Sequence, residues 1–473
     1  MTWSKGALSD IAPRGWPGFL PLVGVLSLLL PVAILIVRGD WKLLTGIAAG
    51  ALILYSLVIR PYFLTVATMV VFVGAAMPIV NQAGVLTQLR WAMLFALAFT
   101  LLLTSAVRGT GSSWHPTHVS LALFVVFAAI SSSYSPNSLM TLLKTASFGS
   151  LVLAAVLYGR LEARQGSGGQ CQLFEPLYWC AVLVALGCIL SHLHLLPHSQ
   201  GSFSTRYFQG PFGNPNSLGA FVSLVAPVLL LRIFDPLHKR GPEPYANVAL
   251  AISSLVFLLM SRSRAGILGT ILGCGWWLYF SYRKAFRAFL GGVAVCGVIT
   301  WAYFPGYLKS LDEVYLRKGG AYVLQSREDL WGASWNAAKD SPVIGVGFGA
   351  AKGYSEDWEL GFATSGASRE KGSSYLALIE EVGVIGFGLL MAPLAWALIG
   401  AADRLSRLRT RHPPAAEFWS TLTLSACLVG GLGNAFSEAW LTAAGFFTTV
   451  IFWMAFGVLA SRLAAPSPGP SLQ

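Results

Sequence analysis

Three arginines lie next to apolar or aromatic residues, in positions where a guanidinium could bind a phosphate at the edge of a membrane. Arg206 precedes Tyr and Phe in SFSTRYFQ, and Arg262 and Arg264 interrupt the hydrophobic stretch LLMSRSRAGILGT. A guanidinium binds phosphate through two parallel hydrogen bonds. A charge this close to hydrocarbon is costly and is usually retained for function, although an arginine that ends a helix at the interface is the alternative. We predict phosphate binding at Arg206 and a functional role for Arg262 and Arg264.

The segment QSREDLWGASWNAAKD, residues 325–340, has the pattern of a capped amphipathic helix. Ser326 precedes two acidic residues, and Trp331 and Trp335 are four residues apart. Such a helix lies on a membrane surface or covers a cavity. Its aromatic stripe is interpreted as packing in preference to a ligand site. Arg327 opens the helix, so it is a candidate for substrate binding.

Two further groups of polar residues stand beside or inside apolar stretches. Glu380 and Glu381 fall about two turns inside a hydrophobic segment, so at least one should face the protein interior and have a partner. An ion pair with an arginine is the structural alternative to a catalytic or substrate-positioning role. Asn214 and Asn216 precede a helix in GPFGNPNSLGAF, where they either cap that helix or contact a ligand.

Several other kinds of chemistry lack the motifs that they require. No phosphate-binding P-loop, dinucleotide fingerprint, nucleophile elbow or zinc motif is present. The spacing of His192, His194 and His198 suits a metal on a helix face, but no acidic residues support them, so we predict neither a metal nor a cofactor. The cysteines are scattered without metal or redox spacing and are interpreted as packing residues.

The elements that position these residues are transmembrane helices. Of 473 residues, 55% are hydrophobic and 11% are charged, against about 25% charged in soluble domains. Continuous apolar segments recur along the chain without the alternation of a membrane barrel. The sequence predicts an all-α polytopic membrane protein of about 12–14 helices. The domains are 1–304 (transmembrane helices), 305–372 (one large loop carrying short helices), 373–461 (transmembrane helices) and 462–473 (a disordered tail).

Lys and Arg in the short loops predict the orientation of the chain. With both termini in the cytoplasm, most of these residues lie on the cytoplasmic side, which explains the net charge of +12 without nucleic acid. The segment around Arg206, the turn at Arg262 and Arg264, and the 305–372 loop then share the outer face. In a Gram-negative bacterium the protein would lie in the inner membrane with its active face in the periplasm.

Four segments together resemble the O-antigen ligase and polysaccharide polymerase family of bacterial membrane glycosyltransferases. They are Arg206 before GPFGNPNSLGAF, the SRAG of residues 263–266, SREDLW followed by SPVIGVGFG, and SSYLALIEEVGVIG. The resemblance covers residues 200 to 390, and their order around the long loop makes the set specific. It implies a GT-C-like fold and transfer of a glycan from undecaprenyl diphosphate to an acceptor sugar without a metal. The implied partners are this donor, a glycan or lipid-linked acceptor, membrane lipid and other polysaccharide-assembly proteins.

The resemblance also implies roles for individual residues. Charge builds on the leaving diphosphate, so fixed cations are required at the membrane rim, and the matching positions are Arg206 and Arg264. The candidate catalytic residues are Arg206, Arg264, Glu370 and Glu381, and the candidate substrate-binding residues are Arg262, Arg327, Asn214, Asn216, Ser373, Tyr375 and Glu380.

The sequence departs from the family at one position. Family ligases carry histidine where this chain has Gly372 before Ser-Ser-Tyr-Leu, and glycine cannot accept a proton. Either a nearby carboxylate activates the acceptor hydroxyl or the reaction differs from ligation to lipid A core. We therefore place a polymerase ahead of a ligase, with a transporter or flippase of lipid-linked sugars and a non-catalytic scaffold as the further alternatives.

Overall fold

The computed structural model describes residues 50, 61–81, 84–107, 115–164, 171–195, 207–234, 243–284, scattered positions within 286–298, 325–351, 371–409 and 416–464. Most of residues 1–60, Arg206, Glu370, most of the 305–372 loop and the tail from 465 lie outside these residues.

The described residues form α-helices and connecting turns, with no strand among them. The helices are α1 (Pro61–Ala75), α2 (Val85–Val107), α3 (Pro116–Ile130), α4 (Ser138–Arg164), α5 (Phe174–His192), α6 (Pro215–Phe234), α7 (Glu243–Ser261), α8 (Arg264–Ser281), α9 (Gln325–Asp340), α10 (Ser374–Leu408), α11 (Ala416–Ala435) and α12 (Phe447–Ala464). Within the described part of the chain, 8 helices are long and apolar enough to cross a membrane. The prediction of an all-α polytopic membrane protein is confirmed.

Small residues allow the central helices to approach closely. α8 packs against both α6 and α11. A Cβ added to Gly266 would lie 2.3 Å from the Cα of Gly219, and one added to Gly269 would lie 2.5 Å from the carbonyl oxygen of Gly430. Close backbone approach of this kind is how membrane helices gain van der Waals contact, because lipid provides no hydrophobic drive for helix association.

Contacts between segments show which turns lie at the same end of the bundle. At one end, Tyr134 Oη donates to the carbonyl oxygen of Ile344 over 2.8 Å, and the turn between α7 and α8 meets residue 207. At the other end, ion pairs join α4 to α12 and α10 to α11. The segment after Arg206, the α7–α8 turn and the described parts of the long loop therefore lie on the same side, as the charge pattern predicted.

The hydropathy of the chain predicts a last transmembrane helix over about 439–461, but the structure is helical there only from Phe447. The preceding residues bond to side chains: the Oγ of Ser374 accepts from the backbone N–H groups of Trp440 (3.0 Å) and Leu441 (3.1 Å). Trp440 Nε1 also donates to Asn434 Oδ1 over 2.7 Å. Hydropathy predicts that this stretch is apolar but not that its backbone is held in a turn, so the predicted start of the helix was wrong.

The helix α10 is interrupted inside its apolar length. Gly383 has φ 61° and ψ −169°, which is not helical. The segment 341–349, which we call the crossing loop, supplies the missing hydrogen bonds. The N–H groups of Val346 and Gly347 donate to the carbonyls of Glu380 and Glu381, each at 2.9 Å. In return, the N–H of Val384 donates to the carbonyl of Pro342 at 2.9 Å.

This pairing is required because irregular backbone at membrane depth is tolerated only when protein or water satisfies it. The crossing loop lies so close that a Cβ on Gly383 would stand 2.3 Å from the carbonyl carbon of Val343. Glycine at 383 therefore serves two needs, an unusual backbone conformation and room for a second backbone.

We predict that Gly383→Ala destabilises the protein by at least about 1–3 kcal/mol, because a side chain is strained in this backbone region and also meets the crossing loop. Thermal unfolding of the purified protein in detergent measures the change. Gly388→Ala is the matched control, since a Cβ at Gly388 in the same helix meets nothing within 4 Å. Equal midpoints for the two variants would contradict the prediction.

Candidate functional site

The turn between α7 and α8 fixes the positions of Arg262 and Arg264. Arg262 adopts a positive φ of 50°, which ends α7, and Ser263 caps α8 by accepting from the N–H of Gly266 over 3.3 Å. Ser263 and Gly266 both pack against Gly219 of the segment GPFGNPNSLGAF. The SRAG motif is therefore a helix cap and a helix-packing contact that together place two arginines at one end of the bundle.

The two arginines meet the segment that follows Arg206. The guanidinium of Arg262 lies over the ring of Tyr207, 5.6 Å from its centre. Arg264 interacts electrostatically with Tyr207 and with Arg327. Arg206 itself lies outside the described residues, but its neighbour places the first segment beside the second.

Arg327 comes to the same place from the first turn of α9. Its Nη2 lies 2.5 Å from Oε1 of Glu438, and the two side chains are 16% and 18% exposed. Glu438 lies in the turn between α11 and α12. We call Tyr207, Arg262, Arg264, Arg327 and Glu438 the arginine cluster.

Sequence reasoning missed Glu438. It lies in the apolar stretch NAFSEAWL, and the rule that singled out Glu380 and Glu381, a carboxylate inside a hydrophobic stretch, applies to it equally. Hydropathy places it between two predicted transmembrane helices, about 417–436 and 439–461, where a carboxylate is not unusual.

Gly372, where the resemblance implied a histidine, also touches the arginine cluster. Its φ is 65°, and a Cβ placed there would lie 3.1 Å from Nη1 of Arg327. Its carbonyl accepts from Nε1 of Trp331 over 3.1 Å. The space that a larger side chain would need is taken by the Arg327 guanidinium, so this glycine is part of how the site is built.

The residues that follow Gly372 attach α10 to the α11–α12 turn. Ser373 is buried and its side chain makes no capping bond. Ser374, which was not a candidate, donates through Oγ to the carbonyl of Glu438 over 2.7 Å. The hydroxyl of Tyr375 donates to the carbonyl of Leu432 over 2.7 Å. The first bond holds the turn that carries Glu438, and the second holds the last turn of α11, just before it.

The asparagine candidates lie at the start of α6. Oδ1 of Asn214 accepts from the N–H of Asn216 over 2.8 Å, and the helix begins at Pro215. The capping interpretation of Asn214 is therefore the one that the contacts support.

The two tryptophans of the predicted aromatic stripe on α9 have different surroundings. Trp335 is 50% exposed, whereas the ring of Trp331 packs edge-on against Phe436.

Glu380 and Glu381 belong to a second group, which we call the lysine–glutamate cluster: Lys144, Lys371, Glu380 and Glu381. Oε2 of Glu381 lies 2.7 Å from Nζ of Lys144, and Oε1 lies 2.8 Å from Nζ of Lys371. Oε2 of Glu380 lies 3.9 Å from Nζ of Lys371. The glutamate side chains are 4% and 0% exposed. The ion-pair alternative is correct, but its partners are lysines and not an arginine.

This cluster ties four segments of the chain together. Besides its lysines, Glu381 accepts from the N–H of Gly349 in the crossing loop over 2.8 Å. Lys371 also donates to the carbonyl of Ala350 over 2.5 Å. Residues 350 and 371 are thus held together at the base of the long loop, and the next residue after Lys371 is the glycine that contacts Arg327. The two clusters are therefore adjacent along the chain, because Lys371 belongs to one and its neighbour Gly372 contacts the other.

Among the described residues, no group of three or more His, Cys, Asp or Glu side chains is arranged to hold a metal ion. The positive groups of the site are the guanidinium and ammonium groups of the two clusters.

Two comparisons bear on the identity of this arrangement. The model of a protein family described as O-antigen ligase matches residues 249–391. The chain carries an O-antigen ligase-like domain. This confirms the family resemblance. The matched range includes Arg262, Arg264, α9, the crossing loop and three residues of the lysine–glutamate cluster, whereas Lys144 lies outside it. Tyr207 and Glu438 of the arginine cluster lie outside the matched range.

The chain is also similar to the exopolysaccharide production protein ExoQ of Rhizobium meliloti (strain 1021). The two are 27% identical over 299 residues, which is 60% of this chain and 65% of the relative. The chain thus matches slightly less than two thirds of that relative's length. Both comparisons are with proteins of bacterial polysaccharide assembly.

We predict that Glu381→Ala costs about 3–5 kcal/mol of stability, because it leaves Lys144 and Lys371 buried without their shared carboxylate. Asp403→Ala is the matched control in the same helix, since its pair with Arg407 is 61% and 72% exposed and is expected to contribute about 0–1 kcal/mol. Thermal unfolding in detergent compares the two. A Glu381→Ala midpoint within error of the control would refute a structural role for the cluster.

Proposed function

We propose that this protein is a membrane glycosyltransferase of surface polysaccharide assembly. It transfers a glycan from an undecaprenyl-diphosphate-linked donor to an acceptor sugar, as a polymerase does. The observation that carries the proposal is the convergence of Arg262, Arg264 and Arg327 beside Tyr207 at one end of a helical membrane bundle. The family match and the exopolysaccharide relative support the same class of substrate.

The electrostatics of the arginine cluster favour a diphosphate ligand. Arg264 and Arg327 carry like charges that interact with each other, and Arg327 also pairs with Glu438. An anion that enters between them relieves the repulsion, and planar guanidinium groups bind diphosphate oxygens in pairs. Positive charge fixed in this way also stabilises the leaving diphosphate as the glycosidic bond breaks.

The proposal divides the candidate residues into two roles. Arg264, Arg327, Arg262 and, by prediction, Arg206 hold the donor diphosphate and supply the positive charge that a divalent cation supplies in other transferases. Glu380 and Glu381 are positioning residues, because they fix the crossing loop and Lys371 and are themselves fully buried. Metal-independent transfer follows from this assignment.

The proposed location is the bacterial inner membrane, with both termini in the cytoplasm and the arginine cluster in the periplasm. The Lys and Arg bias of the short loops supports this orientation. The lipid-linked donor would reach the site from the outer leaflet, and other polysaccharide-assembly proteins would supply it and receive the product.

A polymerase is preferred over a ligase for two reasons. The position of the ligase histidine is Gly372, where φ is 65° and a Cβ would lie 3.1 Å from Nη1 of Arg327, so a larger side chain would be strained. The curated relative, moreover, is described as an exopolysaccharide production protein.

We predict that Arg264→Ala lowers the rate of glycan transfer by about 100-fold or more, the scale of losing one fixed donor to a developing negative charge. Arg264→Lys should restore only part of the rate, because an ammonium cannot bind two oxygens in parallel. The assay is purified protein with undecaprenyl-diphosphate-linked oligosaccharide, with product length read by mass spectrometry.

Arg283→Ala is the matched control, since this arginine follows the opposite end of the same helix α8 and also lies over a tyrosine ring. It should transfer glycan at the wild-type rate. Longer chains on the lipid identify a polymerase, and glycan on a second acceptor such as lipid A core identifies a ligase. Movement of donor across the bilayer without a new glycosidic bond would refute the proposal in favour of a flippase.

A further inference from the structure

The site needs a group that accepts the proton of the acceptor hydroxyl, and Gly372 cannot do so. The position that histidine would occupy borders one face of the Arg327 guanidinium, with Nη1 3.1 Å from a Cβ placed on Gly372. The carboxylate of Glu438 lies on Nη2 of the same guanidinium at 2.5 Å. The Glu438 carboxylate and the position of the missing histidine side chain are therefore next to two nitrogens of the same guanidinium.

Glu438 is held firmly in this place. Its carbonyl accepts from Oγ of Ser374 over 2.7 Å, and the same Oγ accepts from the N–H groups of Trp440 and Leu441. Its side chain is 18% exposed, so it is largely buried but not fully enclosed by the described residues. A base needs this combination, a fixed position and an approach for substrate.

The other described carboxylates of this region are less suitable. Glu381 is engaged through both oxygens by two lysines and a backbone N–H, and its side chain is 4% exposed. Glu380 is fully buried. Glu328 and Asp329 are exposed on α9, and the contact that α9 makes with the arginine cluster runs through Arg327 instead.

We propose that Glu438 is the catalytic base of the glycan transfer, in the role that histidine holds in the related ligases. The inference rests on the function proposed above. The acceptor hydroxyl oxygen attacks the anomeric carbon, and its proton passes to a carboxylate oxygen of Glu438. The bond from the anomeric carbon to the diphosphate oxygen breaks, and its electron pair leaves with the diphosphate, which the arginines bind.

A carboxylate is chemically sufficient for this step. Inverting glycosidases use an Asp or Glu carboxylate to activate the attacking oxygen at an anomeric centre. The hydroxyl becomes acidic as it bonds to the carbon, so a weak base can take its proton late in the reaction. Arg327 holds the carboxylate in place, and it also links the base to the diphosphate site.

The test measures donor binding and turnover separately in Glu438→Gln. Glutamine is close in shape and can still accept from Arg327, but it cannot take a proton. Turnover should fall by about 100-fold or more. Binding of undecaprenyl diphosphate should be as tight as in the wild type or tighter, because a negative charge beside the arginines is gone.

Two further variants exclude a purely structural effect. Glu417→Gln is the matched control, since Glu417 forms a pair with Arg404 of the same length, 2.5 Å, at the opposite end of the bundle. It should leave turnover unchanged. Glu438→Ala should regain part of its turnover in sodium formate but not in sodium chloride, because formate supplies the missing carboxylate.

Wild-type turnover in Glu438→Gln would overturn the inference, as would equal losses of donor binding and turnover without formate rescue. Either result leaves the proposed function standing if Arg264→Ala still abolishes transfer. A wild-type protein that forms no glycosidic bond from the lipid-linked donor would instead refute the function itself.

Discussion

A membrane helix broken at a glycine is the constraint on which the rest of this structure depends. At Gly383 the backbone of α10 leaves the helical path, and the released carbonyl and N–H groups lie where water is absent. The crossing loop 341–349 satisfies them with its own backbone, so it must run against α10 at one register. That register sets where α9 ends, where Gly349 meets Glu381, and how residues 350 and 371 come together.

The two clusters hold different parts of this arrangement in place. The lysine–glutamate cluster stabilises the crossing against displacement, because Glu381 bonds to α4, to the crossing loop and to Lys371 at once. The arginine cluster lies one residue further along, where Gly372 leaves room for Arg327. The charged residues of the lysine–glutamate cluster thus bond to one another inside the bundle, whereas the arginine cluster lies at its end. This explains how a chain with few charges positions several arginines so closely.

Much of the site could be predicted because charge near hydrocarbon is conspicuous in sequence. That rule selects Arg262, Arg264 and Glu381, whereas Arg327 is selected because it opens an amphipathic helix. Each of the four belongs to one of the two clusters. The rule did not supply partners. Lys144 and Lys371 lie 227 positions apart by their numbers, and Lys144 is an ordinary residue of its own helix. Nothing local indicates that the two share a carboxylate, so an arginine was the more natural expectation. Glu438 was missed for a similar reason, since its importance comes from the guanidinium that it meets.

The sequence by itself determined the all-α membrane class, the common side of the described arginine-bearing segments and the resemblance of residues 249–391 to the O-antigen ligase family. These follow from hydropathy, from loop charge and from short motifs, which are properties of neighbouring residues. Only the tertiary structure decided that α10 is interrupted, that α12 begins at Phe447, and that Arg327 meets Glu438 instead of a histidine at 372. Each of these outcomes depends on hydrogen bonds or ion pairs between distant segments, and spacing along the chain does not encode such pairs.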